Sequence, residues 1–219
     1  LIKEAEEVVE RRNGFLLRMD PEVLYDEDLV EKLRQEITAD NFAVRTRGSL
    51  EDEHDFTNPR NNMIMDLSGK TVDSLLEEMS GDKRYRIRRS YRDGVKTRRV
   101  RWGDENFQKD LDLFYDLTVF MADRHEINHR PKEYFARLME SFGDNAVMYF
   151  AEDEEEALAC ALVVFHKMKA FYMYAASVTH KAKKKASVQL NIEAMQDAIR
   201  LGIPSYDFGG VYHFTTENG

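Results

Sequence analysis

Cysteine is nearly absent from this sequence: its 219 residues hold one, Cys160. A single thiol excludes a disulfide framework. Its place inside the apolar run 157–165 makes it a buried strand residue rather than a nucleophile, which suits a reducing cytoplasm. Long hydrophobic runs are missing too. No stretch approaches the ~20 apolar residues a membrane-spanning helix needs, and no secretory leader opens the sequence, so a cytoplasmic protein without membrane insertion is expected. Glycine is missing where nucleotide chemistry would want it, since residues 178–186 contain none and no glycine-rich phosphate loop occurs elsewhere. Neither a Gly-x-Ser-x-Gly elbow nor a Cys–His arrangement argues for a covalent acyl-enzyme.

Positive charge is in the minority. A formal net charge of −9 argues against binding nucleic acid over the whole surface, yet residues 82–102 contain ten Lys or Arg against two Asp. That segment is either a solvated helix and edge strand or an electrostatic footprint for phosphates. With 42% hydrophobic residues the chain can bury a sizeable core, in one large domain or one and a half small ones.

Apolar periodicity predicts helices over 2–13 (closed by Gly14) and 26–37 (capped by Asp26), with a strand at 15–19 between them and another at 42–45. Residues 47–62 are polar, with Gly48 and Pro59, and form the best domain boundary. Beyond it come a buried strand at 63–67, a short helix at 72–79, a basic helix at 83–92 ended by Gly94, and an alternating strand at 95–102. Helices at 106–124 and 131–142 follow, then strands at 146–151, 157–167 and 170–177, with the acidic turn 152–156 joining the first two. A lysine-rich loop, a helix at 187–201 and a strand at 205–208 complete the pattern, Gly202 standing where a left-handed cap is wanted. This is the element order of an acetyltransferase-like (GNAT) α/β domain over 62–219.

Several short motifs offer chemistry. His125-Glu126-Ile127-Asn128-His129 matches the H-E-x-x-H zinc signature, so a zinc hydrolase through His125 and His129 is one alternative; Pro131 opposes it by ending the helix the motif requires. Asp207-Phe208-Gly209 spells a kinase triplet without its partner motifs, and Asp207 is expected to tie down the turn after the last strand. An acetyl-CoA-dependent N-acetyltransferase would share the fold, but its pyrophosphate wants a glycine-rich turn where this chain has Lys181, Lys183, Lys184 and Lys185. Those lysines could meet a larger polyanion such as tRNA, or form an ordinary surface loop. Arg130 and Tyr134, four apart at a helix start, place a guanidinium beside a phenol, either to bind phosphate or to make a local ion pair.

Tyr-Met-Tyr-Ala-Ala-Ser (172–177), then a helix, then Tyr-Asp-Phe-Gly-Gly-Val (206–211) resembles the second domain of the FemABX aminoacyltransferases. The resemblance continues through 122–135, 62–68 and 17–23, so it covers nearly the whole chain. It implies tandem GNAT-like domains with the first only partly present, 1–61 being its C-terminal part and 62–219 the second domain. It also implies transfer of an amino acid from aminoacyl-tRNA to the stem-peptide lysine amine of UDP-MurNAc-pentapeptide or lipid II. Arg130, Tyr134, Tyr174 and Tyr25 carry over as substrate contacts, and a catalytic lysine is expected beyond Gly219. No cofactor is implied. A monomer is expected, in the cytoplasm or at the inner face of the membrane. The absence of a long heptad segment between 62 and 219 favours the compact, FemX-like type.

Overall fold

The computed structural model describes residues 2–15, 26–36 and 61–211. It divides into two compact units, residues 1–61 with 210–219, and residues 62–209. In the first unit, helix α1 spans Ile2–Arg11 and helix α2 spans Glu27–Glu36. Asp26 caps α2 as expected, its carboxylate accepting the Leu29 N–H at 2.7 Å. The expected strands at 15–19 and 42–45 lie outside the described residues, Phe15 apart.

The second unit is built on a sheet of six strands: β1 (Asn62–Asp66), β2 (Lys96–Val100), β3 (Ala146–Glu152), β4 (Ala157–His166), β5 (Lys169–Ser177) and β6 (Ser205–Gly210). Their order is β1-β6-β5-β4-β3-β2. Strands β2 to β5 are successive antiparallel neighbours, and β6 joins β5 in parallel after a helical crossover. This is the acetyltransferase-like α/β arrangement the element order leads one to expect. Helices α3 (Val72–Glu78), α4 (Gly81–Arg92), α5 (Phe107–His125), α6 (Lys132–Phe142) and α7 (Ala186–Arg200) cover the sheet.

Both faces of the central strands are buried, and each face has its own core. Along β3, Val147, Tyr149 and Ala151 enter the core shared with Leu75 of α3, Ile87 of α4 and Leu190 of α7. The alternate residues Ala146, Met148 and Phe150 enter the core of Phe114 from α5 and Phe135 from α6. Cys160 lies in the second core, where burial pushes its thiol pKa up to about 12, leaving it an unreactive apolar residue. Helix α7 ends as its sequence demands: Gly202 takes φ +70°, and the Gly202 and Ile203 N–H groups close on the Ile199 and Ala198 carbonyls at 3.0 and 2.9 Å.

One element departs from expectation. β1 forms, but its Met63 and Ile64 are 46% and 47% exposed, because the strand lies at the edge of the sheet, where Met65 packs half-buried against the core and the following Leu67 is buried in it.

Two irregularities shape the edge of β5. Its register against β4 runs Leu162↔Tyr174 and then Val163↔Tyr172, so Met173 has no residue opposite it. Its pairing with β6 covers only Ala170↔Tyr206 and Phe171↔Asp207, after which the two parallel strands are no longer in register.

Candidate functional site

The bulge at Met173 decides where two tyrosines point. In a regular strand, residues two apart share a face, which would put Tyr172 and Tyr174 together. The extra residue inverts the alternation. Tyr172 packs on the α4/α7 core, whereas Tyr174 packs on the α5/α6 core. There Tyr174 meets the start of α6.

That start is built by an interrupted helix. α5 stops at His125 because Glu126 adopts the left-handed region (φ 55°), and the Ile127 N–H folds back to the Ala122 carbonyl at 3.1 Å. Pro131 then opens α6 with its fixed φ of −67°, leaving Arg130 exposed just before it. Lys132 bridges to Asp112 on α5 at 2.7 Å and pins the two helices.

Arg130, Tyr134 and Tyr174 converge here. The Arg130 guanidinium lies over the Tyr134 ring, 5.5 Å from its centroid. The Tyr174 hydroxyl donates to the Tyr134 oxygen at 2.9 Å. Phe135, fully buried, supports both rings edge-on at 5.0 Å from Tyr174 and 5.4 Å from Tyr134. Burial, then the Tyr134 hydroxyl, pushes the Tyr174 pKa up to about 12 against the opposing pull of Arg130. Tyr174 is therefore a neutral hydrogen-bond donor at physiological pH. Among the described residues no carboxylate pairs with Arg130. The cluster thus offers an exposed, unneutralised guanidinium beside two phenols, a set of donors suited to phosphate. Tyr25, the fourth expected contact, lies outside the described residues.

The H-E-x-x-H motif does not assemble. His125 ends α5, with its Nε2 3.0 Å from the Arg124 guanidinium, while His129 lies past the helix stop. The His129 ring sits against Tyr115 and Phe135 at 5.1 and 5.6 Å, and neither of its buried ring nitrogens has a hydrogen-bond partner. The two imidazoles have separate surroundings, and no third ligand joins them among the described residues.

The lysine loop is divided. Lys181 contacts Asp153, Glu155 and Glu156 at 3.0, 2.5 and 2.9 Å, and Lys184 contacts Asp153 at 2.6 Å. The acidic β3–β4 turn therefore neutralises two of the four lysines. Lys183 is exposed, and Lys185 sits at the left-handed residue (φ 58°) preceding α7.

At the other end of β5, Asp207 acts within β6 rather than on a turn after it, accepting the Gly209 N–H at 2.8 Å. Its second oxygen accepts from Lys169 at 3.2 Å and from the Asn62 amide at 3.0 Å. A lysine only 8% exposed, balanced by a carboxylate 3% exposed, anchors β6 just before its Gly-Gly pair. Sequence reading missed Lys169. Its only signal was a cation beside an apolar strand, and that cannot identify a partner 38 residues away.

The FemAB family model matches residues 1–154 and 150–219. The UDP-N-acetylmuramoylpentapeptide-lysine N(6)-alanyltransferase of Weissella viridescens is 30% identical over 224 aligned residues, covering 100% of this chain and 62% of the relative. The chain thus spans less than two thirds of that relative's length. Among solved structures, a crystal structure of FemX superposes with a TM-score of 0.78 at 17% identity, covering 100% of this chain and 69% of that one. At that identity the likeness establishes a shared fold.

Proposed function

Since the chain belongs to the FemAB family, we propose that the protein of which it forms part is an aminoacyltransferase of peptidoglycan bridge formation. It moves an amino acid from aminoacyl-tRNA to the side-chain amine of the stem-peptide lysine, with UDP-MurNAc-pentapeptide or lipid II as acceptor. The activity of the Weissella relative, alanyl transfer to that lysine N(6), supports the acceptor class. The observation that carries the reading is Arg130: an exposed guanidinium held against Tyr134 and Tyr174 without an internal counter-ion, which suits the phosphate of such a precursor.

The donor ester is already activated. The lysine amine attacks the ester carbonyl, an N–C amide bond forms, the C–O bond to the tRNA ribose breaks, and the amine proton passes to the departing hydroxyl. Such a reaction needs positioning and oxyanion stabilisation rather than an enzyme-bound acyl group. In this reading Arg130, Tyr134 and Tyr174 hold the acceptor. The Asp207 node holds the backbone from which the following segment departs.

An acetyl-CoA-dependent activity has less support. The β5–α7 loop has no glycine, and its positive-φ position belongs to Lys185. Among the described residues no helix is long and apolar enough to cross a membrane. Incubating the full-length protein with radiolabelled aminoacyl-tRNA and, in separate arms, UDP-MurNAc-pentapeptide and lipid II is expected to label one or both precursors. Acetyl transfer from acetyl-CoA with no aminoacyl transfer to either acceptor would overturn the reading.

A further inference from the structure

Ten Lys or Arg stand against two Asp in residues 82–102, and three of the arginines are committed inside the fold. Arg98 pairs with Asp110 and Glu152, and Arg99 with Glu193 and Asp197. Arg84 donates to the Glu77 and Met79 carbonyls. Of the others, most are on α4. Its Ile87 is buried in the core, and the Tyr91 hydroxyl donates to Glu193 of α7 at 2.6 Å, so this side of the helix faces inward. Tyr85, Arg88 and Arg92, spaced three and four apart, form a stripe on another side.

All three stripe residues are exposed, Tyr85 by 49%. Among the described residues Arg88 has no carboxylate partner. Arg92 approaches Asp93 at 3.5 Å, but that carboxylate already receives Arg89 at 3.2 Å, leaving one negative charge for two guanidiniums. The stripe is thus a local excess of positive charge on a chain of net charge −9.

We infer that the Tyr85–Arg88–Arg92 stripe of α4 docks the phosphodiester backbone of the tRNA donor, away from its aminoacylated end. Two guanidiniums one helical turn apart suit successive phosphates, and an exposed phenol adds a hydrogen bond or a stacking face. An anionic bilayer fits less well. The only aliphatic residue of α4, Ile87, is buried, so no aliphatic side chain of the helix is left to insert into lipid. The stripe belongs to the sheet face of α4 and α7, whereas Arg130 belongs to the face of α5 and α6. Donor and acceptor are thereby assigned to opposite faces.

This inference rests on the proposed aminoacyl transfer, and its test separates the two. In the full-length protein, Arg88→Gln with Arg92→Gln is assayed with aminoacyl-tRNA and with a short aminoacylated 3′-terminal RNA fragment too small to reach α4. The expected result is a KM for aminoacyl-tRNA raised about tenfold, with a log–log salt slope lowered by about 2. The KM for the fragment, the KM for the precursor and kcat stay unchanged. Arg88→Lys with Arg92→Lys, which keeps the charge, should restore most of the loss and controls for folding. An unchanged tRNA KM and salt slope in the Gln variant, with the wild type active, would overturn the inference alone. A wild type that transfers from neither donor would overturn it together with the functional reading. Lost binding to phosphatidylglycerol vesicles with tRNA use intact would assign the stripe to a membrane instead.

Discussion

Arg99 and Arg130 are both arginines set against phenols, and they have opposite surroundings. Arg99 lies 5.5 Å from the Tyr149 ring and reaches Glu193 and Asp197 at 2.9 and 2.5 Å, while Tyr149 itself donates to Asp197 at 2.7 Å. Arg130 lies 5.5 Å from the Tyr134 ring, but its neighbour is the neutral phenol of Tyr174. Two carboxylates consume a guanidinium's charge and most of its donors; two phenols orient it and leave the charge available. The first arginine is a strut between β2 and α7. In the proposed function the second is a receptor.

The largest effect expected on this pair of sites comes from beneath one of them. Phe135→Ala removes a fully buried ring that supports Tyr134 and Tyr174, and should cost about 3–5 kcal/mol in urea unfolding while also weakening precursor binding. Arg99→Ala comes next. It leaves Glu193 and Asp197 half-buried without their main partner, so a loss of about 2–3 kcal/mol is expected with no change in precursor KM. A selective KM defect in Arg99→Ala would erase the distinction between the two arginines.

Tyr174→Phe removes a single 2.9 Å hydrogen bond and should cost about 0.5–1.5 kcal/mol. Because the folded pKa of Tyr174 is raised to about 12, above the ordinary phenol value of about 10, its contribution is complete below pH ~10 and is lost as pH rises through 12. Stability measured between pH 6 and 9 should therefore show no titration from this residue.

The smallest effect belongs to the acidic turn. Lys184 above all, then the Glu155 and Glu156 N–H groups with Lys181, holds the Asp153 carboxyl well below its usual range despite the opposing cost of burial. A depressed folded pKa contributes stability above the unfolded value of about 3.9, which is lost as pH falls through the folded one. Lys181→Ala with Lys184→Ala removes that contribution, so stability at neutral pH should fall slightly, stability at pH values below the folded pKa should not change, and the loss on acidification should shrink.

Much of this architecture is legible in the residues. Strands β3 to β5 are near-continuous apolar runs because both faces are covered, and Gly202 and Gly94 mark helix ends because each adopts a positive φ. Pro131 signals that one helix cannot carry H-E-x-x-H onward, but the stop itself falls earlier, at the left-handed Glu126. The nearness of Arg130 to Tyr134 is legible from their separation of four at a helix start, although Arg130 itself precedes the helix, but that of Tyr174 depends on a one-residue bulge at Met173 that no local pattern announces. Nor does the lysine loop announce its neutralisation, since Lys181 and Lys184 meet Asp153 across 28 and 31 residues of chain. The exposure of β1 is equally hidden, because an apolar strand reads the same at the edge of a sheet as at its centre.

The claim that Arg130 is a receptor for the acceptor's phosphate is tested most directly by Arg130→Ala in the full-length enzyme, with KM measured for each substrate alongside thermal unfolding. A charge-assisted bidentate contact is worth about 1.5–3 kcal/mol, so the precursor KM should rise about tenfold to a hundredfold. The KM for aminoacyl-tRNA should not move, and unfolding should shift by no more than the ~0.5–1 kcal/mol of an exposed cation–π contact. An unchanged precursor KM, with stability lost as in Arg99→Ala, would show that Arg130 is also a strut and would contradict the account.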